Sequence, residues 1–196
     1  HKEYRRQRQM CIRDSFMTLF TAGILIIGDE ILSGRTKDAN INWIASELNN
    51  VGIRLVEARI ISDDLETIVK TIQFFTQKFT YVFSCGGIGP THDDITTECV
   101  AKAFNQKLYK DAEAMRRLKL HYEGTNIEFN EARQKMAIVP TNSELIDNPV
   151  SAAPGYRIEN LFVFDIKYLE ILSSRAMYSH FFFFFSCIGH FDDQLE

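Results

Sequence analysis

The stretch YVFSCGGIGPTHDD, Tyr81–Asp94, sets an apolar run against three glycines, a proline and two adjacent carboxylates. Tyr81–Cys85 reads as a strand buried on both faces, because nothing polar alternates through it. Gly86, Gly87 and Gly89 allow φ > 0 and a close approach of backbone to a ligand. A helix is predicted from about Asp94 to Phe104, so the loop amides ahead of it would form a concavity suited to phosphate oxygens. Asp93 and Asp94 would repel that phosphate unless a divalent cation lay between acid and anion. The simpler alternative is an acidic turn in which Asp94 only caps the helix.

Upstream, the same arrangement occurs a second time. AGILIIG is another doubly buried strand, and GDEILSGRTKDAN follows it at once with Asp29 and Glu30. Asp38 can cap a helix whose apolar face is Ile41, Ile44, Ala45 and Leu48. Arg54–Ile61 reads as a further strand. Asp63 with Glu66 forms a capping-box pattern ahead of the stripe Leu65, Ile68, Val69, Ile72 and Phe75. Strands alternating with amphipathic helices predict an α/β fold, its mostly parallel sheet covered on both sides. Ligands of such sheets bind beyond the carboxyl ends of the strands, so both acidic loops are expected at one edge. Asp29 and Glu30 alone would also fit a plain acidic turn, Asp63 and Asp64 plain caps, and His92 a loop hydrogen-bonder. Cys85, Cys99 and Trp43 fit simple packing.

Beyond Gln106 helices are expected over Ala112–Tyr122 and Asn130–Ala137, with Pro140 ending the latter segment. NPVSAAPGY is a turn-rich loop, and Arg157–Phe164 a hairpin or edge strand. The tail from Asp165 to Glu196 has no periodicity, and residues 1–20 read as an unstructured extension in which Met17 would make a native start. Residues 21–164 form the expected domain.

At 196 residues one domain with a substantial core is expected. A net charge of −4 argues against general nucleic-acid binding. The four cysteines have no metal-ligand spacing and read as free thiols of a reducing cytoplasm. No stretch approaches the ~20 apolar residues needed to span a bilayer, and no apolar segment follows the basic N-terminus as a secretory signal requires. A cytoplasmic location without membrane attachment is expected.

Three segments, TAGILIIGDEILSGRTKDANINWIASEL, SCGGIGPTHDDIT and NPVSAAPGYRI, resemble the competence/damage-inducible protein A family. This family is a branch of the MoaB/Mog molybdopterin-binding domains, and its likeness also extends to the corresponding domain of eukaryotic FAD synthases. The resemblance implies a three-layer α/β/α sandwich that often oligomerises. It also implies that Asp29, Glu30, Asp93 and Asp94 lie in the site. Gly86, Gly87, Ile88, Gly89, Pro90 and Thr91 would hold the phosphate or pterin end of a ligand, with Ser33, Asp38, Asn40 and Thr96 as further ligand-binding candidates. Cys85 stands where the family usually has Thr, which removes a hydroxyl from the loop. The likeness breaks off at Asp165, and the amidase domain of longer relatives finds no counterpart, so deamidation is not expected.

The resulting expectation is metal-dependent hydrolysis of a pyrophosphate bond in an ADP-ribose- or FAD-like nucleotide. Asp29 and Asp94 are the expected ligands for Mg²⁺, Mn²⁺ or Co²⁺, assisted by Asp93 or Glu30. Nucleotidyl transfer to molybdopterin uses the same parts, and so does a non-catalytic module that only binds the pterin or nucleotide.

Overall fold

The computed structural model describes residues 20–38, 40–123, 125–148 and 153–164. The expected N-terminal extension, apart from Phe20, and the tail from Asp165 lie outside the described residues. Three strands lead the chain: β1 (Thr21–Ile27), β2 (Arg54–Ile61) and β3 (Tyr81–Cys85). Between them come α1, a single turn over Asp29–Leu32, then α2 (Asn40–Asn50) and α3 (Leu65–Lys78). α4 (Thr96–Ala103), β4 (Leu108–Lys110), α5 (Ala112–Glu123) and α6 (Glu131–Gln134) follow. A 3₁₀ turn over Lys135–Ala137 leads into β5 (Ile138–Pro140), β6 (Glu144–Ile146), β7 (Gly155–Ile158) and β8 (Leu161–Phe164).

Six strands form the main sheet in the order β2-β1-β3-β8-β7-β6. β2, β1, β3 and β8 are parallel, and β7 runs against both its neighbours. Strand β1 is apolar throughout because it is sandwiched. Ile24 and Ile26 pack with Ile44 and Leu48 of α2 on one face. Leu25 and Ile27 pack with Ile68, Ile72 and Phe75 of α3 and with Cys99 and Val100 of α4 on the other. This is the expected three-layer α/β/α arrangement. Cys85 and Cys99 are both buried, and burial pushes the Cys99 thiol up to about 11.

Three local expectations need correction. Arg157–Phe164 is a hairpin, but β8 is no edge strand. It inserts between β3 and β7, with Val82 opposite Leu161. The cap of α3 is Asp64, whose Oδ2 accepts from the Thr67 amide at 2.9 Å, and not Asp63. α4 begins at Thr96, two residues after Asp94, and no side chain caps it.

Candidate functional site

Parallel pairing of β1 with β3 sets Ile26 opposite Cys85, so the loops that follow leave the sheet side by side at one edge. β2 ends at the same edge, where Gly28 donates its amide to the Ile61 carbonyl at 3.1 Å. Asp29 then donates its amide to Oδ2 of Asp63 at 3.0 Å, tying the β1 exit to the β2 exit. Asp63 is therefore a residue of the acidic lip. Topology could have exposed it, since any residue just past a parallel neighbour of β1 reaches this edge.

Burial raises the Asp63 carboxyl above its ordinary range, the Asp29 amide opposes this, and the charges of Asp29, Glu30 and Asp94 raise it further. Those four carboxylates thus share one electrostatic environment. Among the described residues, no three His, Cys, Asp or Glu side chains converge tightly enough to form a ready metal cage.

The glycine loop is held from within. Gly86 and Gly87 have φ of 103° and 68°. Thr96, fully buried, donates its hydroxyl to the Gly86 carbonyl at 2.9 Å and its amide to that of Gly87 at 3.0 Å. Thr96, a candidate ligand contact, thus also supports the loop, its hydroxyl proton committed to Gly86. The half-buried Ile88 packs its side chain against the α3/α4 side of the core. Among the described residues the amides of Gly87, Ile88 and Gly89 make no hydrogen bond. Pro90 has no amide to offer.

Asp94 closes the outer turn. Its Oδ2 accepts from the Thr91 amide at 2.7 Å and from the Thr91 hydroxyl at 2.6 Å. A Cβ on Gly89 would lie 2.7 Å from that same oxygen, so a side chain there would have to displace the Asp94 carboxylate from Thr91. Among the described residues neither the Asp93 nor the His92 side chain makes a hydrogen bond, and both are exposed.

In the first loop the Glu30 carboxylate folds back over Gly28, where an added Cβ would meet Oε1 at 2.6 Å. The Ser33 hydroxyl donates to the Glu30 carbonyl at 3.2 Å and accepts from Arg35 Nε at 2.9 Å, shaping the loop. Asp38 is the expected cap, accepting from the amides of Asn40 at 3.2 Å and Ile41 at 3.0 Å. Asn40 is buried, and among the described residues its Oδ1 has no hydrogen-bond partner.

Periodicity gave no signal for Lys135. Its Nζ donates to the Asp94 carbonyl at 3.1 Å, reaching the loop from the 3₁₀ turn. Lys135, Gly89 and Asp94 line a cavity of about 60 Å³ beside the loop, together with Ile88, Tyr156 and Pro154.

Residues 23–170 match a family described as "Probable molybdopterin binding domain". The chain belongs to this family. The domain is 32% identical to the protein CinA of unknown function from Thermoplasma acidophilum, whose crystal structure superposes with a TM-score of 0.70 over 78% of this chain and 92% of that one. A CinA-like protein of Syntrophus aciditrophicus is 38% identical over 136 residues, 69% of this chain and 32% of that protein. A protein of Metallosphaera sedula is 37% identical over 141 residues, 71% of this chain and 53% of that one. The chain thus spans about a third to about half of these curated relatives' length. The family match and the likeness to the Thermoplasma protein make it a CinA-type molybdopterin-binding-type domain, and no helix among the described residues is long and apolar enough to cross a membrane.

Proposed function

We propose that this molybdopterin-binding-type domain holds the phosphates of a phosphorylated pterin or dinucleotide on the Gly86–Asp94 loop and hydrolyses a pyrophosphate bond. The observation that supports it is the pairing of β1 with β3, which sets unbonded loop amides and a set of carboxylates at one sheet edge. Amides suit phosphate oxygens, and the carboxylates are hard donors that suit Mg²⁺, Mn²⁺ or Co²⁺. Asp29 and Asp94 would hold such an ion. When bound, the ion neutralises phosphate charge and acidifies a bound water.

The chain's own part is orientation and proton handling. The amides of Gly87, Ile88 and Gly89 would fix the non-bridging oxygens. A bond forms from water oxygen to one phosphorus while the bridging P–O bond breaks. Glu30 or Asp93, whose carboxylates make no hydrogen bond among the described residues, would take the water's proton.

A binding-only module is the second reading, favoured by the small cavity and by the lack of a ready three-ligand cage among the described residues. Incubating purified protein with FAD, ADP-ribose, or molybdopterin plus ATP, each with and without Mn²⁺, separates the readings. Mn²⁺-dependent release of two monophosphates from FAD or ADP-ribose supports hydrolysis. Adenylylated pterin would point to nucleotidyl transfer, and binding without turnover to the module.

A further inference from the structure

Lys135 is a half-buried cation at the wall of the cavity beside the glycine loop. Its ammonium carries three donors, of which one goes to the Asp94 carbonyl. Among the described residues it has no carboxylate partner. A carbonyl dipole satisfies a donor without neutralising a charge, and the Asp94 carboxylate is turned to Thr91. The same cavity is bordered by Gly89, whose amide is unbonded, by the half-buried Thr97 and by Glu98.

We infer that Lys135 anchors a second anionic group of the ligand, so that the site selects a diphosphate over a single phosphate. The inference rests on the reading that the Gly86–Asp94 loop binds phosphate. One phosphate lies on the loop amides, and the next reaches the cavity and the Lys135 ammonium. A lysine serves such a group as a point charge without fixed fork geometry, which tolerates diphosphates carried on different organic parts. Glu98, lining the same cavity, opposes the anion and tempers its affinity.

The test is calorimetric titration with inorganic pyrophosphate and with inorganic phosphate in the presence of Mg²⁺, with a thermal melt of each preparation. The unaltered protein should bind pyrophosphate more tightly than phosphate. Lys135→Met should weaken pyrophosphate binding on the order of 10- to 100-fold, the scale of a hydrogen bond to a charged group, and leave phosphate binding nearly unchanged. Lys135→Arg should keep most of the preference. Glu98→Gln should tighten pyrophosphate binding, a gain that misfolding cannot produce and that holds even if Lys135→Met fails to fold.

Pyrophosphate affinity unchanged in Lys135→Met, or both anions weakened equally, would overturn the inference while sparing the loop reading. An unchanged or weaker affinity in Glu98→Gln would overturn it as well. Failure of the unaltered protein to bind either anion would overturn the loop reading itself and the inference with it.

Discussion

The amide of Asp29 donates to Oδ2 of Asp63 across 3.0 Å, joining the exits of two parallel strands that the sequence separates by 34 residues. This bond fixes the lip of the site, and it also sets Asp63 against its neighbour Asp64. Burial and the charges of Asp29, Glu30 and Asp94 raise Asp63 above its ordinary range. The side chain and amide of Thr67 lower Asp64 below it.

These opposite shifts give opposite pH dependences. For Asp63 the folded value is raised, so its contribution to stability is fully present below the unfolded value and is lost as pH rises through the folded one. For Asp64 the folded value is lowered, so its contribution is present above the unfolded value and lost as pH falls through the folded one. Asp63→Asn, which can still accept from the Asp29 amide, should melt higher than the parent near neutral pH and converge with it in acid. Asp64→Asn keeps the cap but should melt lower near neutrality, again converging in acid. Thermal midpoints from about pH 3 to about pH 7 check both, and parallel curves for the two variants would contradict the assignment.

Gly87 is constrained twice, by φ of 68° and by Thr96 Oγ1, which a Cβ would strike. Gly34 has φ of 71° with nothing within 4 Å of its Cβ position, and so isolates the backbone cost. Gly34→Ala should cost about 1 kcal/mol and Gly87→Ala about 1–2 kcal/mol more. Combining Gly87→Ala with Thr96→Ala should cost less than the sum of the single changes, since the collision is removed. Pyrophosphate binding should be lost in Gly87→Val and kept in Gly34→Ala. Denaturant unfolding and calorimetry on the same preparations measure these differences.

Asp94→Asn keeps an oxygen for the Thr91 donors, and α4 does not depend on it for a cap. Its thermal midpoint should therefore move little. Mn²⁺-dependent turnover of FAD or ADP-ribose should fall on the order of 10²–10³-fold, as when one electrostatic contact to a developing charge is removed. A variant that melts much lower yet turns over normally per folded molecule would make Asp94 a turn residue alone.

Asn160, in the β7–β8 turn, donates Nδ2 to the Thr76 carbonyl at 3.0 Å and to the Phe79 carbonyl at 2.9 Å, joining the hairpin to the end of α3. Asn160→Asp replaces a double donor with a negative charge facing two carbonyls at a helix C-terminus. It should cost about 2–4 kcal/mol, against about 1–2 kcal/mol for Asn160→Ala. Chemical denaturation of both variants tests the order, which a simple loss of packing would reverse.

Much of this architecture is written locally. The unbroken apolar run of β1, the stripes of α2 and α3 and the Asp38 cap depend on residues within a few positions of one another, so periodicity and capping chemistry suffice to read them. The juxtaposition of the two acidic loops follows from the same alternation, because parallel strands joined by right-handed crossovers send their loops to one edge. The strands β4, β5 and β6 escaped for the converse reason. Each has only three residues, too few to show an alternation, and β4 is exposed throughout.

What the sequence alone determined is the layered α/β fold, the glycine loop and the acidic residues beside it, since these rest on local steric and hydrophobic preferences. Tertiary structure decided which partners those residues meet. β8 entered the sheet beside β3 because pairing there buries Leu161, Val163 and Phe164 on both faces, a long-range gain invisible in a short hairpin sequence. Asp63 joined the site, Thr96 turned inward to hold Gly86, and Lys135 reached Asp94 from 41 residues away. Each of these depends on distances through space, which only the packed chain defines.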